Sequence, residues 1–380
     1  MLVLRSNHLL LAGEKSPRTG MVFIDEETGK IIAAAPELTV PADARVIELG
    51  EQYVVPGLID CHTHMGMDGP GGDPVGDQNE PYDPVAPQLR AVDAADFLSR
   101  GFEAARQNGI TTVAVLPGAY CVVGGQVGVI MTYSDQLTNR ILRENVGMKC
   151  AMGIRPRMAA DAAGISPQTK MAVAGMLRES MLRAQKSLQN KGVRRDLAAE
   201  GWAPVLQGKA PLRVHAYRAS EMAVAIKIAE EFGVKVVFEH GAEAMQIKDE
   251  LIRRNIPVVC TNTYFRAPQT REEAAIEPEL PSRLMKAGIR VAISTNFPEM
   301  AAVSLTQLAA FNMKYGVSWI QAMDSITRIP AEILGIDDTT GTIESGKFAD
   351  LSIWEGDPLS WNSKPVTVMV HGKLAPGKGL

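Results

Sequence analysis

The chain has 380 residues, 46% hydrophobic and 22% charged, with a formal net charge of −4. That length suits one large barrel plus an added domain rather than a single small core. The charge balance gives no reason to expect nucleic acid or an anionic membrane as partner, and no apolar run approaches the roughly 18 residues that span a bilayer.

Residues 1–53 alternate short apolar runs with turns: LVLRS, HLLLAG, GMVFID, KIIAAAP and ARVIELG. This pattern predicts short antiparallel strands. The opening run MLVLRSNHLLLAGEK is broken by Arg5, Ser6, Asn7 and His8, unlike a secretory signal, and is read as a first strand with a turn. The C-terminus repeats the pattern in ADLSIWEG and PVTVMVHGKLA. Residues 1–53 and 345–380 are therefore expected to form one composite β-sandwich, with residues 54–344 inserted between them.

The insert alternates strand and helix patterns, the rhythm of a parallel barrel. Strands are predicted at 54–61, 110–116, 127–132, 148–153, 212–217, 234–239, 256–261 and 290–295. Helices are predicted at 86–108, 167–190, 219–232, 242–254, 279–288, 302–315 and 318–328. The loop from Gly66 to Pro84 is rich in Gly, Pro and Asp and longer than a usual βα connection. It follows the first strand, at the face where barrel loops build active sites; a plain surface excursion is the other reading. Cys61, Cys121, Cys150 and Cys260 lie in strand-like apolar contexts without paired spacing. They are expected to be reduced core residues of a cytosolic protein.

There are six histidines. His8 and His371 fall in the sandwich strands. The other four each end a predicted barrel strand. His62 and His64 stand at i and i+2 in VVPGLIDCHTH and point to one face. His215 ends LRVH, and His240 follows VKVVFE. Four imidazoles at one end of a barrel are hard to explain as separate core residues, because each would bury a polar ring that needs its own partner. Imidazole is a standard Zn²⁺ ligand, and three protein ligands plus a water is the usual catalytic arrangement.

With Pro56, Gly57 and Asp60 beside the histidine pair, the VVPGLIDCHTH stretch resembles the signature of the amidohydrolase superfamily, metal-dependent hydrolases built on a (β/α)8 TIM barrel. The segment GTIESGKFADLSIWEGDPL, residues 341–359, is similar to that family's C-terminal return to the sandwich. The resemblance covers nearly the whole chain and is nearest to imidazolonepropionase and related cyclic-amide or Xaa-Pro dipeptide hydrolases. It implies that His62, His64, His215 and His240 are metal ligands or lie beside the metal. It also implies two carboxylates, one on the fourth strand that bridges two metals and an Asp at the end of the eighth that takes the proton from the attacking water. By local pattern these positions are Ile154 in MKCAMGIRP and Asn296 in VAISTNFPEM. Isoleucine cannot bridge two cations, so one Zn²⁺ is expected rather than two. The Asn296 amide cannot act as a general base. A Zn²⁺-bound water can still have its pKa lowered towards about 7. His240 would then move the proton, or a carboxylate such as Glu299, Asp60, Glu239 or an acid of the long loop would.

Gly124-Gly125-Gln126 resembles a loop of the relatives, and Gln126 offers both donor and acceptor. Tyr217, Arg218 and Arg155 are further substrate candidates, the arginines suited to a substrate carboxylate. Each also reads as an ordinary turn or rim residue. The expected function is metal-dependent hydrolysis of a cyclic or non-peptide C–N bond in a small molecule, with Asn296 and His240 as the catalytic groups. The alternative is a catalytically impaired homologue serving as a binding or partner subunit of an active paralogue. A homo-oligomer is also open.

Overall fold

The computed structural model describes residues 1–67, 76–190, 195–261 and 270–375. The two ends of the chain share one seven-stranded sheet. Strand Arg45–Pro56 joins them. It runs parallel to Leu2–Leu9 on one side and antiparallel to Leu351–Trp354 on the other. Period-two alternation sends Leu2, Leu4, Val22, Ile24, Leu351 and Ile353 into one apolar core. Val3, Met21 and Phe23 pack in a separate cluster.

Gly57 marks the passage from this sheet into the barrel. A Cβ there would lie 2.2 Å from Thr111 Oγ1, so only glycine allows the two segments to approach. The barrel strands that follow are Leu58–Thr63, Ile110–Val115, Met148–Ala151, Leu212–Ala216, Val236–His240, Val258–Thr261 and Val291–Ser294. Neighbours among these pair in parallel where they pair directly. The third place differs from the sequence expectation. It is filled by Val123–Gln126 and Gly128–Met131, which run antiparallel to the strands on both sides. No helix intervenes between Val115 and Val123, and a parallel return needs a long crossover that this short connection does not provide.

Asp60 ties the first strand to the eighth. It accepts hydrogen bonds from the Ser294 hydroxyl, from Thr295 N (3.2 Å) and from Thr295 Oγ1 (2.5 Å). Burial nevertheless pushes its pKa up to about 6.

Helix Ala219–Phe232 matches the predicted span and ends at Gly233 in the left-handed conformation. The predicted helix 86–108 is instead Ala91–Ala94 and Arg100–Gln107. Val85 and Arg90 bridge to Val123 and Gln126, and between them the chain makes a turn in which Leu89 N–H donates to the Ala86 carbonyl at 3.2 Å. Helices Arg155–Ala162 and Leu197–Leu206 were not anticipated. All four cysteines are free and buried. Among the described residues no helix is long and apolar enough to cross a membrane.

Candidate metal centre

The C-terminal ends of the first, fifth and sixth barrel strands carry His62, His64, His215 and His240 to one place. Ring centroids are 5.5 Å apart for His62 and His64, 5.4 Å for His62 and His240, and 4.3 Å for His215 and His240. All four are buried.

Their hydrogen bonds explain which nitrogen each presents. His62 Nδ1 meets the Glu239 carboxylate at 2.6 Å, and His64 Nδ1 donates to the Leu116 carbonyl at 2.7 Å. His240 Nδ1 meets the Thr261 hydroxyl. The pure acceptors on Nδ1 of His62 and His64 fix their tautomers and leave Nε2 as the donor atom for a cation, whereas the Thr261 hydroxyl can pair with either tautomer of His240. His215 Nε2 and Asn296 Oδ1 are buried without any hydrogen-bond partner. Unpaired buried polar atoms are costly, so two at one centre fit a group that binds there. Burial, then the charge of Lys149, holds His62 and His64 below the ordinary histidine range, His64 at about 4. Burial is likewise the first cause for His215 and His240, with neighbouring imidazoles and Lys149 adding to it. Neutral imidazole is the form that ligates.

The backbone is strained at the same spot. His240 has φ 73° and Asn296 φ 53°. Asparagine tolerates the left-handed region, whereas a histidine there is held by its surroundings.

The fourth strand corrects one expectation. Ile154 lies beyond strand Met148–Ala151, as the residue before helix Arg155–Ala162, and does not line the centre. The fourth-strand residue that does is Lys149. Its Nζ lies 3.5 Å from His62 Nε2, and burial lowers its pKa to about 8. The inference of a single ion from Ile154 therefore loses its premise. Among the described residues no three His, Cys, Asp or Glu side chains already form a closed ligand set. The Lys149 amine stands among the rings. A lysine inside the apolar run MKCAM was the sequence signal for it, since an unpaired lysine is almost never fully buried.

These groups line a cavity of about 130 Å³ together with Gln78, Asn79, Tyr120, Arg155, Tyr217, Glu273 and Glu299. Tyr217 stacks on His240 at 4.8 Å, and Arg155 pairs with buried Glu273 at 2.5 Å. Two predicted substrate residues stand elsewhere. Gln126 is buried, donating to the Pro87 carbonyl at 3.1 Å and accepting from Asn145. Its alternating position on a reversed strand turns it from the cavity. Arg218 is exposed at the start of helix Ala219–Phe232. Of the proposed alternative bases, Glu299 lines the cavity, whereas Asp60 and Glu239 are engaged beneath it. Asp68 and Asp73 lie outside the described residues. A larger hollow of about 780 Å³ lies at the opposite end of the barrel, near Pro211, Val236, Pro257 and Arg290, away from the histidines.

The sequence profile of the amidohydrolase family matches residues 53–375. The chain belongs to the amidohydrolase family. An amidohydrolase from Thermotoga maritima MSB8 has a solved structure with 30% identity and a TM-score of 0.93, covering 99% of both chains. The imidazolonepropionase of Maricaulis maris is 24% identical over 92% of this chain and 91% of its own length. The amidohydrolase tasK of Hapsidospora irregularis is 23% identical over 90% of this chain, which spans only 38% of that protein. A solved Xaa-Pro dipeptidase with bound methionine, 17% identical with a TM-score of 0.63 over 99% of this chain and 100% of its own, shares the amidohydrolase fold.

Proposed function

We propose that this amidohydrolase is a metal-dependent hydrolase of C–N bonds outside ordinary peptide linkages, acting on a small cyclic amide, amide or dipeptide-like substrate. The observation that carries the reading is the set of buried imidazoles whose Nδ1 atoms are engaged or whose Nε2 is unpaired, around one cavity. Amidohydrolases typically use divalent metals. His62, His64 and His215 would hold a Zn²⁺ ion, with His240 beside them. The bound ion would supply polarisation of the substrate carbonyl and a water acidic enough to react near neutral pH.

The chain's own groups divide the remaining work. Asn296 Oδ1 accepts a hydrogen bond and so orients a water or the substrate, but it cannot hold the proton. His240 shuttles protons, and Glu299, at the cavity wall, is the carboxylate placed to take one. Arg155 and Tyr217 face the same space and supply donors for a substrate carboxylate or amide oxygen. A cavity of about 130 Å³ admits the reacting end of a small molecule. In its unprotonated form the Lys149 amine can ligate a cation directly. Its nitrogen can also attack carbon dioxide and lose one proton to water to form a carbamate, which would give the fourth strand the anion that its sequence lacks.

A second reading is favoured by Asn296, which replaces the expected acid with a neutral amide: a catalytically impaired homologue that binds a small molecule or an active paralogue. Elemental analysis of protein purified without chelator tests the first reading. It requires at least about one metal ion per chain, and metal-free protein that takes up none on incubation with Zn²⁺ would refute it.

A further inference from the structure

The interior of a barrel is ordinarily filled by branched apolar side chains. Directly beneath the histidines this one holds an ion pair. Arg213 and Glu239 are both 0% exposed, and the Arg213 guanidinium donates to Glu239 Oε1. The other carboxylate oxygen, Oε2, meets His62 Nδ1 at 2.6 Å. Arg213 also donates from Nη2 to the Cys61 carbonyl at 2.9 Å, so it reaches the residue before His62 as well. Room for the long side chain is built in. A Cβ on Gly147 would lie 2.7 Å from Arg213 Cγ.

A buried ion pair contributes little net stability, because desolvation of both charges offsets their attraction. Its geometric consequence is clearer. Arginine has only donors, so it occupies one carboxylate oxygen and leaves the other as a pure acceptor. A pure acceptor against His62 Nδ1 demands a proton on that nitrogen, and Nε2 is then bare and directed at the cavity.

We propose that Arg213 and Glu239 are a pair of positioning residues that lock His62 in the Nδ1–H tautomer and so keep its Nε2 available to a cation. The inference rests on His62 being a ligand, as the proposed function has it, yet the tautomer itself can be read without metal. Neither residue lines the cavity.

The test is a set of three variants. In Glu239→Gln, Arg213 retains the amide oxygen and turns the amide NH2 towards His62 Nδ1. His62 must then carry its proton on Nε2. Zn²⁺ affinity, read by chelator competition, should fall about 10- to 100-fold. In metal-free protein, ¹⁵N spectra should show the His62 tautomer reversed. Adding Arg213→Met frees the glutamine to rotate and offer its oxygen to Nδ1, so the double variant should recover both the tautomer and part of the affinity. Gly147→Ala crowds Arg213 without altering any charge and should weaken Zn²⁺ in the same direction as Glu239→Gln. It keeps the test alive if the buried-charge variants fail to fold. An unchanged His62 tautomer in Glu239→Gln, or a double variant weaker than the single one, would overturn the proposal. If wild-type protein takes up no Zn²⁺, the proposed function falls and the ¹⁵N result alone decides this inference.

Discussion

Lys149 Nζ stands 3.5 Å from His62 Nε2, although the two residues are 87 positions apart in the chain. A primary amine therefore shares the centre with four imidazoles, and its state decides what that centre can hold. As an ammonium ion it repels a metal. As a free amine or a carbamate it would help to bind one.

Replacing Lys149 with Met should lower hydrolysis of a responsive amide or lactam by about 10²-fold or more, on the scale of losing one acid–base or ligand group. Metal content of the purified variant should fall with it. ¹³C NMR of wild-type protein equilibrated with labelled bicarbonate should show a carbamate that is missing from Lys149→Met. Full activity and full metal content in the variant would mean that Lys149 only fills space.

Asn296→Asp would place an anion at the end of the eighth strand. If the centre binds metal, the new carboxylate is a general base, and kcat should rise by about 10²- to 10⁴-fold. The left-handed backbone at Asn296, φ 53°, also suits Asp, so the fold should survive. Steady-state kinetics with small amides and lactams check this. An unchanged rate together with absent metal would favour the binding-subunit reading.

Stability of the metal-free protein should drop on acidification. His64 has its folded pKa lowered from 6.5 to about 4, so between those values the unfolded chain binds more protons than the native one. The stability that His64 contributes is complete above the unfolded value and is lost as pH falls from 6.5 towards 4, about 3 kcal/mol in all. His62, His215 and His240 shift in the same direction. Asp60 acts oppositely. Its folded pKa is raised from 3.8 to about 6, so its ionisation opposes folding as pH rises through that interval. Four histidines outweigh one aspartate, and urea unfolding of metal-free protein should give a lower midpoint at pH 5 than at pH 7. His64→Asn should flatten that slope.

Gly57→Ala should destabilise the junction between the seven-stranded sheet and the first barrel strand. The new methyl would meet Thr111 at 2.2 Å from Oγ1 and 2.4 Å from Cγ2, so strand or side chain must shift. Overpacking of this kind costs about 1–3 kcal/mol. Urea unfolding should show it as a lower midpoint. Gly57→Ala/Thr111→Ser, which removes Cγ2 but leaves Oγ1 and the Cβ at 2.8 Å, should recover part of the loss.

The barrel rhythm, the strands of the two ends and the four histidines were legible because each depends on local pattern; that those end strands join in one seven-stranded sheet was not part of the expected sandwich. Apolar alternation marks strands, and a histidine at the end of such a run lies at the mouth of the barrel. Helix Ala219–Phe232 could be bounded to the residue because Gly233 stops it. The reversed third strand was not legible, since hydrophobic periodicity has no direction. Helix 86–108 failed because Val85 and Arg90 are recruited by Val123 and Gln126, partners far along the chain.

The sequence by itself determined the family fold and that four imidazoles end barrel strands, because strand period and strand end are properties of a few consecutive residues. Only the tertiary structure decided that Lys149 and not Ile154 faces them, that Gln126 turns away, and that Glu239 backs His62. Those facts depend on where separate strands stand in the closed barrel, and a shift of one residue in a strand exchanges inside for outside.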